Sequence, residues 1–338
     1  MPANLTPDYK AAEQAFRRAR DPQEKLTHLK EMLKLIPKHK GTDHLQADIK
    51  TRIKQITEEL TAGRKTGARG GPPTVIRPEG AAQIALVGPP NSGKSALHAR
   101  LTGSHVASEP YPFATQFPQP GMFPYEDVAF QLIDLPSVAS EHPIPWLGNA
   151  LQQADACLLV VDLGAAGCVE RVIDLHQILR ERKVELTPRW PTDGGGVGSD
   201  PDDPFVVYVP TLLVANKSDL LPDPATELKV LEELAEVTYP YMAVSASSGD
   251  GLARLASWLF EALGIVRVYS KVPGQPPDDG PPYTARRGDT VADIAQLVHR
   301  EIAAGLKYAR VWGKDSFAGQ QVGRDHLVVD GDVIELHF

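Results

Sequence analysis

The spacing of apolar residues changes character along this chain. Up to about residue 60 they recur at three- and four-residue steps. Leu45, Ile49, Ile53, Ile56 and Leu60 form one stripe with Lys and Glu on the other faces, the period of an amphipathic helix. Helices are predicted over 9–20, over 22–36 with Pro22 at a first helical position, and over 42–60. From Ile84 onward the apolar residues come in short, mostly apolar runs: Ile84–Val87, Phe130–Ile133, Cys157–Val161, Thr211–Val214 and Tyr241–Val244. Helical stretches such as 169–182, 225–236 and 251–262 fall between most of them. Such alternation implies a mainly parallel sheet covered on both faces, an α/β fold. Near the end, Tyr283–Arg286, a helix at 290–303, Tyr308–Trp312 and Asp332–Phe338 give a β-α-β-β pattern. Tyr308 and Trp312 alternate along their strand, which is expected of core positions.

Glycine and proline mark the boundaries. Gly63, Gly67, Gly70, Gly71, Pro72 and Pro73 break regular structure, and residues 188–204, rich in Gly, Asp and Pro, read as a flexible insertion excluded from the core. The expected organisation is a helical arm (1–62), a basic Gly/Pro linker (63–80), an α/β domain (81–265) interrupted at 188–204, and a small C-terminal domain (266–338). Arg64, Lys65 and Arg69 make the linker basic. Residues 1–70 carry nine Lys and six Arg against nine acidic residues, a balance of +6 in a chain whose net charge is −8. A basic arm on an acidic body suits either an anionic partner such as RNA or a solvated helix surface. The two cysteines, Cys157 and Cys168, exclude a disulfide framework and fit a reducing compartment. No signal-peptide pattern opens the chain, and its apolar runs are far short of a membrane span. A cytoplasmic protein with no membrane partner is expected.

The strongest chemical signal is Gly88-Pro89-Pro90-Asn91-Ser92-Gly93-Lys94-Ser95, a GxxxxGK[ST] run between a strand and a helix that continues with Ala96. Such a loop wraps phosphates with backbone N–H groups at a helix N-terminus, sends Lys94 to the β- and γ-phosphates and gives Ser95 to Mg²⁺. Asn216-Lys217-Ser218-Asp219 ends a later strand. There the Asp219 carboxylate can accept from the N1–H and N2–H₂ edge of guanine, which adenine lacks; Asn216 can hold the base loops, and the Lys217 stem can lie over the ring. Ser245-Ala246-Ser247, after the next strand, supplies a backbone N–H for guanine O6. Thr115 follows the phosphate loop where a mobile segment would bring it to the metal and γ-phosphate. Asp134, at a strand end, is placed to hold a Mg²⁺-bound water. The expected ligands are therefore GTP or GDP with Mg²⁺. The ten histidines show no metal spacing, and His98 on the phosphate-loop helix reads as packing.

These motifs, in this order, resemble the Obg/DRG branch of translation-factor-related GTPases, most closely the DRG (developmentally regulated GTP-binding) proteins, from about residue 38 onward. Tyr111-Pro112-Phe113-Ala114-Thr115 resembles the YPFTT switch of that family. Arg267–Gly274, Leu306–Gly313, Gly319–His326 and Asp330–Val333 resemble a TGS domain. The resemblance implies a Ras-like P-loop GTPase domain followed by a β-grasp TGS domain, slow Mg²⁺-dependent GTP hydrolysis, and a ribosome or RNA partner rather than DNA. A protein partner through the TGS domain is a further implication. Three departures stand out. The family's DxxG reads Asp134-Leu135-Pro136-Ser137, Ala114 replaces the first Thr of the switch pair, and only 188–204 lies where DRG proteins insert an extra domain. Glycine at position 137 would allow a peptide flip towards the γ-phosphate, whereas serine resists positive φ.

Val138 stands where Ras-type enzymes place a water-orienting Gln. Catalysis would then draw on Lys94, Thr115 and Asn91. In related GTPases an Asn at the place of Asn91 helps to coordinate K⁺, and equally it can be a turn residue tolerant of unusual φ. The alternative is a hydrolysis-deficient nucleotide-binding scaffold that acts as an interaction module through its TGS domain.

Overall fold

A computed structural model of the chain describes residues 6–19, 22–37, 42–65, 76–104, 115–140, 143–194, 197–198, 203, 205–277 and 280–338. Tyr111–Ala114 and Arg69 lie outside them. The chain divides into two units, one of residues 1–73 with 199–207, the other of residues 74–198 with 208–338.

In the first unit, α1 (Pro7–Arg18), α2 (Pro22–Leu35) and α3 (Asp43–Lys65) follow one another. Thr6 caps α1 by accepting from Tyr9 N, and Pro22 opens α2, where its missing N–H costs nothing. The helices close on Tyr9, Phe16, Leu29, Met32, Ile36 and Ile49, with Leu45, Ile53 and Ile56 packed at the side. Two expectations are corrected here. Helix α3 runs through Gly63 to Lys65, so the linker begins later than the first glycine; one Gly in a helix costs about 1 kcal/mol, which the flanking helix formers tolerate. The 188–204 insertion is not merely a solvent loop either. Its far end delivers Phe205, 1% exposed, into the helical core. There Phe205 meets Phe16 edge-on, and Arg52 lies 4.5 Å over its ring while donating to its carbonyl. At the near end, Trp190 is buried against Trp258 in the core of the other unit.

The second unit opens with an extended stretch in which Gly80 bridges Phe130. Its first sheet has seven strands: β1 (Gln83–Val87), β2 (Gln119–Tyr125), β3 (Val128–Asp134), β4 (Ala156–Asp162), β5 (Val184–Thr187), β6 (Val207–Asn216) and β7 (Tyr241–Ala243). The order is β2-β3-β1-β4-β6-β5, with β7 also on β6. Helices α4 (Lys94–Thr102), α5 (Leu147–Leu151), α6 (Cys168–Glu181), α7 (Pro224–Ala235) and α8 (Ala253–Ala262) alternate with the strands. β1 is buried at every residue, as a central strand covered on both faces requires, and it runs parallel to β3 and β4. β2, with two prolines and a glycine, is an antiparallel edge strand; it has no apolar run, and proline is tolerated at an edge. Register aligns the strand ends that matter: Leu86 with Asp134, and Asp162 with Asn216.

The second sheet has five strands in the order β11-β10-β12-β8-β9: β8 (Ile265–Ser270), β9 (Tyr283–Arg286), β10 (Tyr308–Gly313), β11 (Ser316–Val322) and β12 (Asp332–His337). Helices α9 (Val291–Val298) and α10 (Arg300–Gly305) pack on one face, where Val268, Ile294, Ala309, Val311 and Ile334 form the core. The parity expected for β10 is thus reversed. Ala309 and Val311 face inward, while Tyr308 and Trp312 are half-exposed on the open face, stacked on His337 and under Lys271. Arg267 of β8 joins this sheet to the β2–β3 turn: it bonds Asp330, Glu126 and Asp127 and lies 5.0 Å over the Phe260 ring. Arg286 of β9 donates to Ala81 O at 2.9 Å and pairs with Asp155.

Truncating Phe205 to alanine removes the aromatic side chain around which the helical unit closes. It should destabilise that unit by about 3 kcal/mol, as large-to-small core changes do. Hydrogen exchange in α1–α3 should accelerate accordingly.

Candidate nucleotide-binding site

The C-terminal ends of β1, β3, β4 and β6 lie side by side, where ligands of open α/β sheets are held. The Gly88–Ser95 loop leaves β1 there and enters α4. Its path depends on left-handed residues: Asn91 has φ 61° and Gly93 φ 87°. A Cβ on Gly93 would lie 2.3 Å from the Asn216 amide nitrogen, and one on Gly88 2.2 Å from Val160 O. Both glycines are therefore required by close approach. Asn91 takes up the turn conformation for which asparagine is suited; its side chain is exposed, and its geometry adds nothing in favour of a potassium role.

Lys94 is buried. Its Nζ donates to Gly88 O at 3.0 Å, Pro89 O at 3.1 Å and Ser137 Oγ at 3.0 Å. Burial pushes its pKa down to about 8, against the pull of Asp134. Beside it, Ser95 Oγ donates to Asp134 Oδ2 at 2.6 Å and lies 3.2 Å from Thr115 Oγ1, which is 3.4 Å from the same carboxylate oxygen. Burial raises the Asp134 carboxyl, opposed by the Ser95 bond and the Lys94 charge. Among the described residues its Oδ1 is buried without a hydrogen-bond partner, and so is Ser92 Oγ. Two hydroxyls and a carboxylate with an unsatisfied oxygen make a hard oxygen set. It fits Mg²⁺, which takes few protein ligands and fills its shell with phosphate and water. Burial pushes the pKa of His98, 2% exposed on α4, below its ordinary value, against the pull of Asp134.

On the other side, Asn216 is 1% exposed and cross-links three segments. Its Nδ2 donates to Ser92 O at 3.0 Å, and its Oδ1 accepts from Ala246 N at 3.0 Å. Lys217, at φ 60°, donates to Asn91 O at 2.8 Å and pairs with Asp162 at 2.7 Å. Ser245 is buried, and its hydroxyl accepts from Ser248 N, whereas Ser247 is exposed. Asp219 sits at the rim, exposed, and bonds no described residue. Pro90 and Ala96 flank the phosphate-loop turn half-buried. Gly88, Pro89, Ser92, Gly93, Lys94, Ser95, Thr115, Asp134, Asn216, Lys217 and Ala246 are thus in one bonded cluster, while Asp219, Ser247 and the Asn91 side chain stand apart from it.

Sequence reasoning missed two participants. Asp162 anchors Lys217; the only sign of it is an acid directly after the Cys157–Val161 run. Ser137 acts through its hydroxyl on Lys94 and has a negative φ, so the backbone here does not demand glycine.

Residues 83–189 match the family model described as a 50S ribosome-binding GTPase, and residues 266–337 match the TGS domain. An uncharacterised GTP-binding protein of Methanocaldococcus jannaschii is 27% identical, over 93% of this chain and 92% of its own length. Developmentally-regulated G-protein 2 of Arabidopsis thaliana is 27% identical, over 88% and 87%. Developmentally-regulated GTP-binding protein 2 of Homo sapiens is 25% identical, over 93% and 98%. The chain belongs to the family of the developmentally-regulated GTP-binding proteins. It is a GTP-binding protein with a Ras-like α/β domain and a C-terminal TGS domain.

Because the folded Lys94 holds its proton less tightly than the ordinary value of 10.5, the unfolded chain binds the extra proton between about pH 8 and that value. Stability gains from this group as pH rises through that window, and the full penalty applies below it. Replacing Lys94 with methionine should remove that component, visible as a flatter pH dependence than wild type in denaturant titrations from pH 7 to pH 10.5.

Proposed function

We propose that the chain binds GTP and GDP with Mg²⁺, hydrolyses GTP slowly, and acts in the cytoplasm as a switch on the ribosome or another RNA-containing assembly. The observation that carries the nucleotide part is the bonded cluster at the sheet edge. Lys94, Ser95, Asp134 and Thr115 gather on one side; on the other, Asn216 ties the phosphate loop to the Ala246 loop and Lys217 ties it to Asp162. In this reading the backbone of Gly88–Ser95 and Ala96 cradles the phosphates and Lys94 meets the β- and γ-phosphate charge. Ser95 and Thr115 ligate the metal, and Asp134 holds its water. The exposed Asp219 carboxylate takes the guanine edge, with Ser245, Ala246 and Ser247 around O6. The ribosomal part is supported by the description of the matching family model and by the charge of the arm.

Guanine selectivity follows from Asp219. ATP should bind more weakly than GTP by several kcal/mol, because a site built for a polar edge leaves its groups unpaired against the wrong base. Asp219→Asn should move the preference towards xanthine nucleotides. Equal affinities for ATP and GTP in a competition titration would remove Asp219 from this role.

A second reading has support of its own: Lys94 is engaged by Ser137, and Val138 offers no side chain to orient water. Here the chain is a nucleotide-bound scaffold without turnover that works through the open face of its TGS domain. Single-turnover assays in K⁺ and in Na⁺ separate the two; phosphate release above the solution rate in either salt supports the switch.

Association with RNA is read as charge-driven through the arm. Lys10, Lys30, Lys34 and Lys50 are exposed on its helices, outside the core that Phe205 completes. Changing these four to glutamate should weaken binding to purified ribosomes and to single-stranded poly(U), and should reduce the salt dependence, since each phosphate contact releases counterions. Unchanged, salt-insensitive ribosome binding would move the contact to the TGS domain.

A further inference from the structure

The ammonium group of Lys94 has three hydrogens, and three oxygens accept them: Gly88 O, Pro89 O and Ser137 Oγ. Lys94 is 4% exposed, so water does not replace a partner that leaves. A phosphate oxygen reaching Nζ must therefore displace one of the three. The two carbonyls are backbone groups of the phosphate loop, so neither turns away from Nζ without moving the chain. Gly88 is pressed against Val160, where even a Cβ would not fit, and its carbonyl also accepts from Val138 N at 3.3 Å. Ser137 offers only a hydroxyl, on a segment between β3 and the bridge at Ala139 that has no regular structure. Rotation about a single side-chain torsion releases it.

We propose that the Ser137 hydroxyl is a latch on the phosphate-loop lysine, competing with the terminal phosphates of the nucleotide for Lys94 Nζ. Nucleotide entry then frees Ser137 and loosens the Asp134–Val138 segment, so the event at the phosphates is passed to the switch through a side chain. The inference rests on the guanine-nucleotide reading above and names the regulation of that same site. It differs from an account in which serine matters by denying the loop a glycine-like backbone. Ser137 already has a negative φ, and the two accounts separate on alanine, which removes the hydroxyl without adding backbone freedom.

The test uses the full chain and four forms: wild type, Ser137→Ala, Ser137→Gly and Ser137→Thr. Affinity and dissociation rate are measured for fluorescent GDP and a non-hydrolysable GTP analogue with Mg²⁺, and thermal melting checks that each variant is folded. The latch predicts that Ala and Gly both tighten the two nucleotides about tenfold and slow their release, the size of effect expected from one hydrogen bond to a charged group. Thr, which keeps the hydroxyl, should match wild type. Three results overturn it: Ala behaving as wild type while only Gly differs; Ala weakening the triphosphate, which would make the hydroxyl a phosphate ligand; or Thr behaving as Ala. A wild-type chain that binds neither nucleotide would sink the guanine reading itself, and the latch with it. That result is distinct from the other three because it appears before any variant is compared.

Discussion

The site depends on one buried amide. Asn216 is removed from water, so its donors and its acceptor must find partners or cost about 1–3 kcal/mol each. It finds them in Ser92 O and Ala246 N, on loops that leave two other strands. The amide can be satisfied only while the phosphate loop and the Ala246 loop stand together. Gly93 has no Cβ because that amide occupies the space. Lys217, fixed beside it by Asp162 and Asn91 O, adds a second tie to the phosphate loop and links it to the end of β4. The phosphate loop and the Ala246 loop are thereby held together within the protein itself, and such preorganisation lowers the cost of binding a ligand there.

The other side of the cluster is built differently. Ser95, Thr115 and Asp134 meet through hydroxyls, and Asp134 keeps one oxygen unsatisfied in a buried position. Burying a carboxylate is costly; burial raises the Asp134 carboxyl, and the Ser95 bond and the Lys94 charge work against that rise. The strands that lead to Thr115 and Asp134 are β2 and β3. Their shared turn, at Glu126 and Asp127, is where Arg267 and Tyr269 of the second sheet attach. The TGS domain is thus bonded to the hairpin that leads from Thr115 to Asp134.

Much of this was legible in the residues. The phosphate loop, Asp134 and the Asn216–Asp219 run could be placed because each lies at the end of a short, mostly apolar run, and a parallel sheet brings such ends to one edge. What escaped had physical reasons. β2 reads Gln-Pro-Gly-Met-Phe-Pro-Tyr and carries no clear period, because its prolines and glycine interrupt the alternation and Phe123 is its one buried residue. Trp190 is a single aromatic in a stretch rich in Gly, Asp and Pro, so composition marked 188–204 as loop while one side chain in it was core, with Phe205 buried just beyond its end. Tyr308 and Trp312 share the alternation of Ala309 and Val311, and parity alone does not say which set faces the helices; the smaller residues do. Ser137 was legible as a missing glycine but not as a hydroxyl on Lys94, since that contact joins residues distant in the chain.

Hydrogen exchange with and without GDP and Mg²⁺ tests most directly the claim that these loops form one site. Joint protection of residues 88–96, 216–219 and 245–247, with a smaller change at 134–138, is the predicted result. Protection confined to the phosphate loop, or lying in the helical unit and the TGS sheet instead, would contradict it.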